Sequence, residues 1–212
     1  MRCHCAFLAA LLLAVLLGGC RDSAGDAKGP NTGGIDTTPA RSFVVDGVRL
    51  GTRVPPLVKR ACRQAQQGVD VQVVCPGLVP EGPLIRSRGL WGGYTFPDRS
   101  LWFITFNNGD NGPRYLHWIM GAGSRSSVAH YLLSDAVNDV KGLPKKIGAS
   151  TIGSRTLTTY RYPPFPAGGP NGGHTAVFVS CGSELVFASL HGSLRAATEK
   201  LATALADKAG CP

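Results

Sequence analysis

The sequence predicts an α+β domain: one antiparallel sheet with helices packed on one face, held by two disulfides. Three observations carry this. With 28 Gly and 15 Pro in 212 residues, turns must be frequent and strands short. Valine- and aromatic-rich runs of strand length recur between those turns. Stripes of apolar residues at helical spacing follow two of these runs, so two hairpin-then-helix units repeat, Leu101–Val140 and His174–Gly210.

The first element is a helix opened by Pro55-Pro56, since proline suits a first helical turn. Leu57, Val58, Ala61, Cys62 and Ala65 share one face, and Gly68 ends it. Val69 to Cys75 alternates and is rich in valine, which predicts a strand with Val69, Val71, Val73 and Cys75 on one side. Leu101 to Asn107 and Tyr115 to Gly121 flank Asn108-Gly109-Asp110-Asn111-Gly112-Pro113 and predict a hairpin. Its tip offers Asn108, Asp110 and Asn111 as oxygen donors, but calcium loops need several carboxylates and Asp110 is the single one, so a plain turn is expected.

Gly121-Ala122-Gly123 is expected to join that hairpin to a helix over Ser126 to Val140. Val128, Ala129, Leu132, Leu133, Ala136, Val137 and Val140 form its stripe, Ser124 or Ser126 its N-cap. Gly142 and Pro144 close it. Thr156 to Tyr162 suits a strand, and Pro163 to Gly173 is a Pro/Gly surface loop containing Phe165. His174 to Cys181 and Leu185 to Gly192 form a second hairpin. A two-residue turn at Gly182-Ser183 pairs Cys181 with Glu184, Val179 with Val186, Val177 with Ala188 and His174 with His191. The last helix carries Leu194, Ala197, Leu201, Ala204, Leu205 and Lys208 on one face.

Beyond residue 20 the chain has Cys62, Cys75, Cys181 and Cys211. Four cysteines allow three pairings. A helix folding back on the following strand brings Cys62 to Cys75. A final helix of about 22 Å running back along a strand of about 26 Å brings Cys211 to Cys181. The expected bridges are therefore Cys62–Cys75 and Cys181–Cys211, which imply an oxidising compartment. Zinc would need closely spaced Cys or His pairs, and no CxxC occurs. The element order is loosely similar to the PsbP-like α/β sandwiches, a group that includes bacterial lipoproteins; the likeness implies no activity or site.

The N-terminus has a different character. Arg2 precedes an apolar run from Ala6 to Leu17, which ends in Leu17-Gly18-Gly19-Cys20. The run is of secretory length and short for a bilayer span. Leu-Gly-Gly-Cys resembles the bacterial lipobox. The resemblance implies cleavage before Cys20 and acylation of its thiol, with Cys3 and Cys5 leaving with the leader. Arg21 to about Pro39 is polar and Gly-rich, too poor in apolar side chains to offset the entropy of ordering, so a flexible tether is expected. The expected layout is 1–19 signal peptide, 20–40 tether and 41–212 a single domain at the outer face of the cell membrane.

The chain is basic, with 22 Lys and Arg against 13 Asp and Glu. Anionic lipids or acidic envelope polymers fit that charge. Nucleic acid is not an expected partner, because the basic residues are scattered and the chain is exported. No GxSxG, HExxH or phosphate loop is present. No cofactor and no catalytic residue are predicted. Asp135 and Asp139 lie opposite a helix stripe, where solvation is expected. His117 reads as an outward or hydrogen-bonded strand residue and His130 as a helix boundary residue. His174 and His191, opposed across the second hairpin, could bind a ligand or metal or act as a proton site, though a metal needs a third ligand. Trp91, Tyr94, Phe96, Trp102, Phe103, Phe106, Tyr115 and Trp118 are either core with one amphipathic sheet face, or an apolar cleft or partner surface. The expected function is a lipid-anchored binding or interaction domain without catalysis, meeting the membrane through its anchor and an envelope protein or apolar ligand through its domain. The alternatives are a carrier or sensor of an apolar ligand and an envelope-polymer hydrolase.

Overall fold

A computed structural model describes residues 39–86, 99–110, 114–133, 144–163 and 173–212. The lipobox with Cys20, the tether, Trp91, Tyr94, Phe96, Asn111, the 134–140 part of the expected second helix and most of the Pro/Gly loop lie outside these residues. The described chain is α+β, as its sequence pattern demands. A small antiparallel sheet joins β1 (Ser42–Val45), β2 (Val48–Gly51) and β3 (Val79–Pro80). A larger one holds β4 (Ile85–Arg86), β5 (Leu101–Asn107), β6 (His117–Ser124), β7 (Lys145–Ile152), β8 (Arg155–Tyr162), β9 (His174–Cys181) and β10 (Glu184–His191). Its strand order is β4-β5-β6-β10-β9-β8-β7, antiparallel throughout. The helices are α1 (Pro56–Gly68), α2 (Arg125–Leu132) and α3 (Arg195–Lys208).

Strand alternation sends Trp102, Ile104, Phe106, Trp118, Met120, Val177, Val179, Val186, Ala188 and Leu190 to one face of the large sheet. There they pack with Val58, Ala61 and Ala65 of α1, Ala197, Leu201 and Leu205 of α3, and Leu50 and Val79 of the small sheet. The second face carries Leu101, Phe103, Ala176, Phe178 and Phe187, over which α2 places Val128. Ser124 caps α2, its Oγ accepting from Ser127 N at 3.1 Å.

Both expected bridges form. Cys62 and Cys75 have Cα atoms 5.5 Å apart, and Cys181 and Cys211 have theirs 5.0 Å apart, both within the range a disulfide spans. The first joins positions separated by 13 residues and the second positions separated by 30. Loop-closure entropy assigns about 3 kcal/mol to the first and about 3.6 kcal/mol to the second. Arg155 reinforces the second: its guanidinium donates to the Asp207 carboxylate and to the carbonyls of Cys211 and Pro212.

Two expectations change. Val69 to Cys75 bends at Asp70 and Val71 and joins no sheet. The Gln66 side chain takes the place of a neighbouring strand. Its Nε2 donates to Val71 O at 3.1 Å and its Oε1 accepts from Val73 N at 2.8 Å. Gly121 and Gly123 lie inside β6 rather than in a connection. A Cβ at Gly121 would sit 2.7 Å from the Phe187 ring and 2.2 Å from Trp102 O. The glycine therefore makes room for the aromatic cluster. Two further hairpins also appear. The first turns at Asp46-Gly47, both at positive φ (51° and 76°), the primed-turn chemistry that Asp-Gly favours. The second pairs β7 with β8 around Gly153. Asp46 has a second role: its Oδ2 accepts from Ala197 N at 3.0 Å, across 151 residues of sequence. It thereby caps α3.

Candidate functional site: a histidine network across four strands

The second hairpin has the register its turn predicts, with Val179 opposite Val186 and His174 opposite His191. The face that carries Phe178 and Phe187 therefore ends in this histidine pair. Because β6 lies against β10, it delivers His117 to the same end of the same face, and β5 adds Thr105. Three imidazoles thus meet. The rings of His117 and His174 lie 4.9 Å apart and those of His174 and His191 5.2 Å apart, each pair edge to face. Tyr115 packs edge-on against His191 at 4.9 Å.

Hydrogen bonds string four side chains together. Thr105 Oγ1 meets His117 Nε2 at 2.7 Å, His117 Nδ1 meets His174 Nε2 at 3.2 Å, and His174 Nδ1 meets Ser189 Oγ at 3.1 Å. With both rings neutral the chain closes in either direction. Thr105 donates at one end and Ser189 accepts at the other, or the reverse. One added proton still leaves a donor facing an acceptor between the rings. Two would set N–H against N–H across 3.2 Å. The network is therefore built for neutral imidazoles.

Burial enforces the same state. Desolvation, then the charge of His191, lowers His117 to about 4. Desolvation, then His117, His191 and Arg161, lowers His174 to about 3. His191 is lowered by desolvation and then by Arg161. The Arg161 guanidinium is held in place by the Thr175 hydroxyl and Gly192 O. Burial raises Tyr115 and, with Tyr160 adding to it, Tyr162, whose hydroxyl donates to Leu132 O.

His174 and His191 thus come together as the sequence register expects. His117 joins them as the third imidazole, a member that sequence reasoning did not place there. The ring nitrogens of His117 and His174 are occupied by each other and by two hydroxyls, and a guanidinium stands close by. Among the described residues no group of three or more His, Cys, Asp or Glu side chains has the arrangement of a metal site. The network can hold fixed tautomers and pass a proton between hydroxyls.

The other expected residues fall as follows. Cys62, Cys75, Cys181 and Cys211 are bridged. At the hairpin tip Asn108 acts as a clasp, its Oδ1 accepting from Leu116 N and Asp110 N and its Nδ2 donating to Arg114 O. Trp102, Phe103, Phe106 and Trp118 are at most 4% exposed and form core rather than cleft walls. No described helix is long and apolar enough to cross a membrane. Comparisons with protein-family models, with curated proteins and with solved structures find no match to this chain.

Proposed function

We propose that this chain is an exported lipoprotein, tethered through Cys20 to the outer face of the cell membrane, whose 41–212 domain binds or docks rather than catalyses. The observation that supports export is the pair of bridges Cys62–Cys75 and Cys181–Cys211 behind a Leu17-Gly18-Gly19-Cys20 motif. Two independent features then call for the same oxidising compartment. A binding role is favoured by the histidine network, whose internal hydrogen bonds leave neither His117 nor His174 with a nitrogen aimed at a substrate. The core position of Trp102, Phe106 and Trp118 weighs against a carrier for an apolar ligand lined by those rings. Cell fractionation with labelled palmitate tests the anchor. The wild-type chain should carry label and sediment with membranes, while Cys20→Ala should carry none and appear in the soluble fraction. A Cys20→Ala chain that stays membrane-bound through detergent-free washing, or wild type without label, removes the proposal.

A further inference from the structure

An open groove of about 430 Å³ runs between α1, the segment after it and the end of α3. Lys59, Arg63 and Lys208 stand around it, and the Cys62–Cys75 bridge and Val73 form part of its apolar floor. Among the described residues, no acidic side chain lines it. The ion pairs among those residues are Asp70–Arg99, Arg155–Asp207 and Arg195–Glu199, so none of the groove's three cations is neutralised by a carboxylate there. α1 contains no carboxylate, and its outward face shows Lys59, Arg60 and Arg63 among glutamines. Lys59 and Arg63 are four residues apart on that face, a like-charge spacing that destabilises a helix unless an anion lies between.

The groove also lies close to where the chain leaves the domain. Val54 is one of its lining residues. Two residues before it, Thr52 holds Arg41: Thr52 N donates to Arg41 O and Arg41 N to Thr52 Oγ1, both at 3.0 Å. The segment that leads back to Cys20 therefore starts beside the basic rim.

We propose that this groove and the basic face of α1 dock onto the phosphate groups of anionic lipids, holding the domain down on the membrane to which its anchor ties it. The proposal rests on the lipid-anchored reading above. A site for a small soluble anion is enclosed and has converging fixed donors. This one is open, rimmed by long flexible cations over an apolar floor, which suits the headgroup boundary of a bilayer. An anchor supplemented by basic side chains is also how stable membrane attachment is commonly reached.

The test uses the processed chain from residue 20 with Cys20→Ala, so that acylation plays no part; residues Pro39–Pro212 form a compact unit of their own. It is sedimented with vesicles of phosphatidylcholine alone and with vesicles that also contain phosphatidylglycerol. Binding should require phosphatidylglycerol and weaken with salt. Each basic residue at such a surface contributes about fivefold in partitioning, so Lys59→Gln/Arg63→Gln/Lys208→Gln should lose about 100-fold at low ionic strength. All three side chains are exposed, so circular dichroism and both bridges should be unchanged in that variant. Equal binding to the two vesicle types, or an unaltered triple variant, overturns the proposal. Release by inorganic phosphate at constant ionic strength, or capture by polyphosphate without vesicle binding, overturns it in favour of a soluble anion. Loss of vesicle binding leaves the Cys20 anchor standing, and failure of acylation in cells leaves the vesicle result standing.

Discussion

Mild acid should destabilise this domain through His117 and His174, and the size of the effect follows from their burial. Both histidines have folded-state values well below the ordinary 6.5, at about 4 and about 3. Their contribution to stability is therefore fully present above the unfolded value and is lost as pH falls from there toward the folded values. At about pH 5 an unfolded imidazole is almost wholly protonated while either buried one is still neutral. The unfolded state gains about 2 kcal/mol per histidine relative to about pH 7.5, or ~4 kcal/mol for the pair. That is a large part of the ~5–15 kcal/mol that holds an ordinary domain together. His191, also lowered, acts in the same direction. Urea unfolding followed by tryptophan fluorescence at these two pH values measures the loss, in a window that ordinary carboxylates barely enter. The double variant His117→Gln/His174→Gln should be less stable at neutral pH yet lose much less on acidification, the remainder coming from His191. A flat wild-type profile, or an equal acid loss in the double variant, would falsify the neutral-network assignment.

Two other substitutions probe how polar groups are satisfied inside the domain. Thr159 is fully buried and its Oγ1 has no hydrogen-bond partner. Thr159→Val keeps the shape and removes the orphaned hydroxyl, so it should raise unfolding free energy by about 1 kcal/mol in urea titration; a loss of stability would reveal a partner for that hydroxyl. Asp46→Ala removes the cap on α3 and leaves a non-glycine residue at positive φ, so it should cost about 1–2 kcal/mol. Asp46→Asn tolerates the same backbone and retains an acceptor oxygen, and should recover most of that loss; an Asn variant as unstable as the Ala one would remove the capping role.

How far the fold could be read from the chain depended on the sequence distance over which each interaction acts. The β9–β10 register followed from a two-residue turn and strict alternation, so His174 opposite His191 was legible. The Cys181–Cys211 bridge followed from helix rise and strand rise counted over neighbouring elements, and the Cys62–Cys75 bridge from a helix end and the segment that folds back beside it. The Asp46-Gly47 hairpin was equally local, its turn signal carried by the Asp-Gly dipeptide itself. What turn chemistry could not reveal was the pairing of β6 with β10, strands far apart in the chain whose alternation fits several neighbours equally well. That single adjacency merges two hairpins into one sheet and carries His117 to His174. It turns an opposed pair of histidines into a hydrogen-bonded chain from Thr105 to Ser189. The same limit explains Asp46, which caps a helix 151 residues away, and Gln66, whose amide replaces a strand partner that alternation alone predicted. In each case a polar side chain meets a backbone or imidazole need that is defined only once distant segments have packed. The histidine network is thus a property of the sheet's topology. Any perturbation that separates β6 from β10 should release His117 and His174 to titrate near ordinary imidazole values.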